Sequence, residues 1–237
     1  MTPELRDILF LDIETVGAAE SFDALDERMK VLWARKAAFF KREEGQTPEE
    51  LFAQRAGIYA EFGKVIVISI GKYVDMPNSE IGFKTRSFAG EDEKEVLNSF
   101  RVMLEKQDPL TTKLCAHNGK EFDFPYLCRR MLINDILPPA ILNQTNRKPW
   151  EMTHVDTMEM WKFGDFKSYT SLDLLAALFN IETSKGVMDG SMVNDVFYKE
   201  KNLKKIAEYC VGDVVALGQL YLKLKGFPLM KRENLSV

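Results

Sequence analysis

Residues 8–16 read Ile8-Leu9-Phe10-Leu11-Asp12-Ile13-Glu14-Thr15-Val16. Four apolar residues lead into an alternation of acid and β-branched residue. The run is strand length rather than helix length, so it predicts a buried strand of a central sheet. Side chains alternate along a strand, which puts Asp12 and Glu14 on one face and Leu11 and Ile13 on the other. Two carboxylates that close repel each other and resist desolvation, so their face requires open water, a proton or a cation. A D-x-E pattern alone also describes a solvated strand end. Its position directly after residues 8–11 brings a bound divalent metal level with that reading.

Working outward, residues 64–72 (KVIVISIGK) predict a second buried strand. Residues 21–61 between them are rich in Ala, Leu, Glu, Lys and Arg, with Trp33, Phe39 and Phe40 among the charges, and predict two or three helices. Within them Thr47-Pro48-Glu49-Glu50 is a helix-start signal, with Thr47 as N-cap and Glu50 at the capping-box position. Downstream, the pattern predicts a strand at 81–87, then a helix over 92–106 with Val96, Leu97, Phe100 and Leu104 on one face. A short strand at 113–117 ends at the Asn118-Gly119 turn, and helical spacing resumes over 123–132 until Pro138-Pro139. Residues 143–152 read as a polar loop and 154–158 as a further strand. A helix begins at Ser171 with Leu172, Leu175 and Leu178 along one side. Residues 183–191 are turn-rich, and a long helix over 203–224 is stopped by Gly226-Phe227-Pro228. Strands first and helices interleaved later predict an α/β fold, a mixed sheet flanked by helices.

The 237 residues with 46% hydrophobic content suit one domain over 1–237, with 21–61 as a helical insertion. A net charge of −4 argues against a protein that grips nucleic acid by bulk electrostatics. It leaves room for an enzyme whose clustered carboxylates hold cations, since bound metals add local positive charge that a sequence count omits. Cys115, Cys128 and Cys210 are odd in number and lack CxxC spacing, which suggests neither a disulfide framework nor a thiolate zinc site, and points to a reducing, cytoplasmic setting. The first residues show no signal-peptide pattern, and the run at 65–70 is strand-sized, far short of the ~20 residues that span a bilayer. No membrane association is expected.

Two further acids stand in context. In Ala116-His117-Asn118-Gly119-Lys120-Glu121-Phe122-Asp123 a strand turns into a helix, and Asp123 sits near its N-terminus. An acid there serves equally as a cap or dipole partner, and Asn118 suits a left-handed turn. In Tyr209-Cys210-Val211-Gly212-Asp213, positions i and i+4 put Tyr209 and Asp213 on one helix face. A Tyr–Asp hydrogen bond beside a core stripe of Ile206, Cys210, Leu217 and Tyr221 accounts for that pair on its own.

Taken together, the three patterns resemble the DEDD superfamily of 3′→5′ exonucleases, in which a D-x-E strand, an N-x-x-x-F-D turn-helix and a Y-x-x-x-D helix occur in this order. Asp12/Glu14, Asn118-Phe122-Asp123 and Tyr209/Asp213 fill them without substitution, and the tyrosine marks the DEDDy branch. The wording around them looks closest to the exonuclease domain of family B DNA polymerases, over residues 10–217, with no room for a polymerase. The resemblance implies an RNase H-like mixed five-stranded sheet with helices on both sides. It also implies two-metal phosphodiester hydrolysis with Mg²⁺ or Mn²⁺, held by Asp12, Glu14, Asp123 and Asp213. Hard ions prefer such oxygen ligands. Tyr209 would orient the attacking water, because a phenol with an ordinary pKa of about 10 is a poor base at neutral pH.

For the nucleic acid, Asn118 and Thr15 are candidate contacts near the terminal nucleotide, and Phe122 or Tyr126 either wedges bases or packs in the core. Lys162, Lys167 and Lys185, with Trp161 and Phe166, form the best basic and aromatic stretch, which either grips phosphates or is a solvated loop. His117 and His154 are too isolated for a metal site. The 21–61 insertion shapes substrate access, binds a protein partner or adds packing. DNA, single-stranded or frayed, is the expected substrate. An exoribonuclease of the same superfamily and a noncatalytic nucleic-acid-binding module are the alternatives.

Overall fold

The computed structural model describes residues 2–235 apart from 41–44, 78–79, 145–146, 149–150, 166–168 and 184–187. After a one-turn helix α1 (Pro3–Arg6), the chain enters β1 (Ile8–Gly17), the strand read above. It is the middle of a five-stranded sheet of order β3-β2-β1-β4-β5. β2 (Gly63–Asp75) and β3 (Ile81–Ala89) form an antiparallel hairpin beside it, and β4 (Lys113–Ala116) and β5 (Val155–Asp156) run parallel to it on the other side.

The alternation in β1 is realised on both faces. Leu9, Leu11 and Ile13 join a core under α4 (Glu93–Leu104) and α5 (Asp123–Ile133), where Val96, Leu97, Phe100 and Leu104 are all buried as their spacing requires. Phe10 turns to the opposite face, against Val214, Leu217 and Tyr221 of α9 (Leu203–Leu224). Close approach of α9 to the sheet depends on two glycines that leave a slot for the Phe83 ring. A Cβ on Gly71 would lie 2.5 Å from that ring and one on Gly218 2.8 Å. The bounds of α9 coincide with those its pattern predicts.

The insertion folds as helical turns at Phe22–Ala24 and Ala56–Ile58 with α2 (Glu27–Ala37) and α3 (Pro48–Arg55) between them. Its core is aromatic: Trp33 meets Phe40, Phe52, Tyr59 and Phe62 edge-on. The capping box at Thr47 and Glu50 is present in both directions.

Elsewhere the structure corrects the sequence reading. The strand expected over 154–158 is only Val155–Asp156, because the Asp156 carboxylate accepts from the N–H groups of Met158 and Glu159 and starts α6 (Thr157–Lys162) at once. In α7 (Leu172–Leu178) Leu175 is buried but Leu178 is 58% exposed, so the expected leucine face is narrower. The short helix α8 (Val193–Tyr198) was not foreseen. The turn-rich 183–191 lies partly outside the described residues. A buried ion pair ties the layers together: Glu93 accepts from Arg130 Nε at 2.8 Å, Asn134 Nδ2 at 2.8 Å and Val65 N–H at 2.7 Å, while Arg130 also donates to Ala60 O at 2.8 Å.

Candidate active site

Asp12 and Glu14 both face α9, as period two dictates, and opposite them α9 presents Tyr209, Cys210 and Asp213 from consecutive turns. Asp12, Glu14 and Cys210 offer ligand atoms that all lie within 4.8 Å of one another. The Cys210 thiol donates to the Asp12 carboxylate at 3.3 Å, and burial with the Asp12 and Glu14 charges raises its pKa far above the ordinary thiol range. In this ion-free arrangement the thiol is a neutral hydrogen-bond donor, and the carboxylate oxygens of Asp12 and Glu14 are the hard donors beside it. That set suits a hard divalent cation, and the repulsion between Asp12 and Glu14, the latter only 8% exposed, gives such an ion a favourable role.

The strand is shaped at this point. Glu14 pairs with Val67 but Thr15 pairs with Val65, so Ile66 is an extra residue in β2. The bulge turns Ile66 and Val67 to the same side, where both pack against Cys210 and Ile206, and it re-aims β1 immediately after its second acid.

Tyr209 is 6% exposed. Burial is the main reason its pKa stands well above the ordinary phenol value. The Asp213, Glu14 and Asp12 charges and a hydrogen bond donated to Asp213 add to that rise. These couplings put the phenol and all three acids in one electrostatic neighbourhood. Asp213 itself is 9% exposed, and a buried carboxylate calls for a compensating cation, proton or hydrogen-bond donor, of which Tyr209 supplies one.

Asp123 comes to the site from the other side of the strand. β4 ends at Ala116, which frees the edge of β1 beyond it. At that edge Asp123 accepts from the N–H of Ile13, the residue between Asp12 and Glu14, and from its own N–H at the start of α5. Burial, with a smaller contribution from the Asp156 charge, raises its pKa to about 7. Asp156 holds the turn that delivers it. The Asp156 carboxylate accepts from Asn118 N–H at 2.9 Å and Lys120 N–H at 3.1 Å, and Asn118 takes the left-handed conformation at φ 62°. No sequence argument above gave Asp156 a part. The D-x-x-E spacing of Asp156 and Glu159 was a legible cap signal.

The other candidate residues divide. Asn118 sits in that turn with a buried side-chain oxygen that has no hydrogen-bond partner among the described residues. Thr15 donates to Gly57 O at 2.8 Å, an acceptor it shares with the Tyr126 hydroxyl, so both secure the insertion. Phe122 packs partly buried against the core, with its ring tilted on Tyr126 at 5.3 Å. Lys162 ends α6, which follows the edge strand β5. Lys185, Lys167 and Phe166 lie outside the described residues. Both histidines are structural. His117 bonds Thr157 Oγ1 at 2.9 Å and Thr170 O at 2.8 Å, and His154 is buried against Phe124.

Residues 58–232 match a family described as a predicted 3′-5′ exonuclease related to the exonuclease domain of PolB, and the chain belongs to this family. The matched span holds Asp123, Tyr209 and Asp213 but begins after Asp12, Glu14 and most of the insertion. Among solved structures, the chain is similar to the family B DNA polymerase from the hyperthermophilic archaeon Pyrobaculum calidifontis. The TM-score is 0.56 at 14% identity, covering 92% of this chain and 24% of the polymerase. The chain thus spans about a quarter of that protein, and the likeness is one of fold: the RNase H-like mixed sheet flanked by helices. No curated protein matches the chain.

Proposed function

We propose that this chain is a metal-dependent 3′→5′ exonuclease acting on single-stranded or frayed DNA ends, with residues 1–237 working as one catalytic unit. The observation that carries the proposal is the meeting of acids from three separated segments. Asp12 and Glu14 face Tyr209, Cys210 and Asp213, while Asp123 bonds the backbone between the two strand acids. A protein that only bound nucleic acid would gain nothing from placing four carboxylates against the phosphates. The matched family and the similar polymerase are both named for DNA polymerases, which supports DNA over RNA.

Asp12, Glu14, Asp213 and Asp123 would hold divalent ions, Mg²⁺ or Mn²⁺ by the hardness of the donors, and such ions would supply Lewis-acid polarisation of the scissile phosphate and charge for the leaving oxygen. The chain's own groups do the rest. Tyr209 stays a protonated phenol at neutral pH, so its role is to orient water or phosphate by hydrogen bonding and not to remove a proton. Cys210 fixes one Asp12 oxygen by donation. Asp123 is poised between protonated and ionised near neutrality, and a nearby cation draws it to the ionised form.

The polarity and sugar preference are tested with matched 20-nucleotide DNA and RNA strands, each labelled at either end. The proposal expects 5′-labelled DNA to shorten stepwise and 3′-labelled DNA to release its label at once, faster than RNA. Shortening from the 5′ end, or RNA degraded faster than DNA, would overturn it.

A further inference from the structure

The outward face of α2 is basic and apolar, in a chain whose net charge is −4. Arg28, Leu32 and Arg35 recur at i, i+4 and i+7 on one side, Val31 lies beside them, and Phe39 continues the line just past the helix end. All five are exposed, Phe39 at 89%, Val31 at 51% and Leu32 at 39%. The inward side, Met29, Trp33 and Ala37, is the one that packs. Among the described residues, no carboxylate lies within the stripe. Glu27, the acid in the helix, pairs with Lys30 at 2.9 Å, and Asp26 caps the helix start through Met29 N–H. Neither Arg28 nor Arg35 has an ion-pair partner among the described residues.

The insertion that carries this face is anchored to β1 next to the strand acids. The Ala56–Ile58 turn lies on β1 just beyond Glu14: Thr15 donates to Gly57 O at 2.8 Å, Ala18 N–H donates to Phe62 O at 2.8 Å, and a Cβ on Gly57 would stand 3.2 Å from Thr15 O. The Trp33 cluster carries that anchorage out to α2.

We propose that the Arg28–Phe39 stripe is the docking track for the single-stranded part of the substrate, upstream of the terminal nucleotide. This inference rests on the exonuclease reading of the acidic site. Unpaired guanidinium groups complement phosphates, an exposed phenyl ring offers a base a stacking surface, and Val31 and Leu32 keep the track between them apolar. Arg28 and Arg35 are separated by about 10 Å along the helix axis, several times the ~3.4 Å rise per nucleotide of a duplex strand, so they meet different phosphates. The local positive track also answers how a chain of net charge −4 holds a polyanion.

The test measures anisotropy of 5′-fluorescein-labelled oligothymidylate of 20 nucleotides on the full chain carrying Asp12→Asn, in EDTA, so that binding is read without hydrolysis. Adding Arg28→Glu/Arg35→Glu should raise Kd at least tenfold and flatten the log K against log salt slope by about 1.4, two phosphates at ~0.7 each. Phe39→Ala should raise Kd at least fivefold, at the low end of the roughly 1–3 kcal/mol that stacking of one base contributes. Lys94→Glu/Lys106→Glu, on exposed positions at α4, changes net charge equally and should move Kd less than twofold. Equal weakening by both reversals would mean bulk charge alone, and wild-type binding by the Arg28/Arg35 variant would assign the stripe to another partner; either overturns the proposal. If the track binds as expected but the chain with Asp12 intact cleaves nothing in Mg²⁺ or Mn²⁺, the catalytic reading falls and the docking track stands.

Discussion

Replacing Asp123 by Asn should make the ion-free protein more stable at pH 8 while removing its activity. In the fold this carboxyl titrates near 7 instead of 3.8, chiefly because it is buried. Three units at about 1.36 kcal/mol each bring the penalty of the ionised form to about 4 kcal/mol. The folded chain therefore binds a proton between pH 3.8 and about 7 that the unfolded chain lacks, so this group's contribution to stability is greatest in acid and is lost as pH rises to about 7. Asn keeps the shape and can still accept from Ile13 N–H, but its amide N–H groups need acceptors, which lowers the net gain to roughly 1–3 kcal/mol. Urea denaturation in EDTA at pH 8 and pH 4.5 reads the effect: a higher midpoint for the variant at pH 8 and none at pH 4.5, with unchanged m. Saturating Mn²⁺ should then stabilise the wild type by about 2.7 kcal/mol at a hundred times its Kd, and the variant less. A variant less stable than wild type at pH 8 in EDTA, or a difference independent of pH, would refute the claim that this acid is buried as a strained charge.

His154 gives the opposite pH dependence: burial lowers its pKa from 6.5 to about 4, so its contribution is complete above pH 6.5 and lost as pH falls. In the Asp123→Asn background, stability should drop by about 3 kcal/mol between pH 7 and 4, and His154→Phe should abolish most of that slope in a denaturation series. Glu93→Ala should cost about 3–5 kcal/mol by stranding the Arg130 guanidinium, whereas Glu93→Leu/Arg130→Met should cost less than either single change, which a double-mutant cycle resolves. Tyr209→Phe should bind Mn²⁺ within twofold of wild type by calorimetry yet lower kcat at least tenfold, because the hydroxyl orients without holding an ion. Thr47→Ala should lower stability by about 1 kcal/mol through loss of the capping box, with catalysis unchanged.

What could be read from the chain before its fold depended on how local each signal was. The face shared by Asp12 and Glu14, the α9 bounds and the Thr47 cap are set by period two, period 3.6 and a four-residue motif, so they were legible. The partnership of Cys210 with Asp12 was not, because it joins residues 198 apart in sequence and a helical cysteine reads as core. The bulge at Ile66 was hidden for the same reason: an unbroken apolar run gives no hint of which residue lacks a partner across the sheet. Asp156 carried a readable cap pattern, yet its hold on the Asn118 turn exists only once β4 and β5 lie side by side. Short elements such as α8 never complete the apolar period that would announce them.

The most direct test of the central claim is the initial rate of shortening of 5′-labelled single-stranded DNA in Mg²⁺ or Mn²⁺ by wild type and by Asp12→Asn, Glu14→Gln, Asp123→Asn and Asp213→Asn. The account predicts a 3′-end ladder from wild type that EDTA stops, and a loss of at least a hundredfold in each of the four variants while each remains folded. Wild-type rates from any one of them, or no shortening by the wild type with either ion, would contradict it.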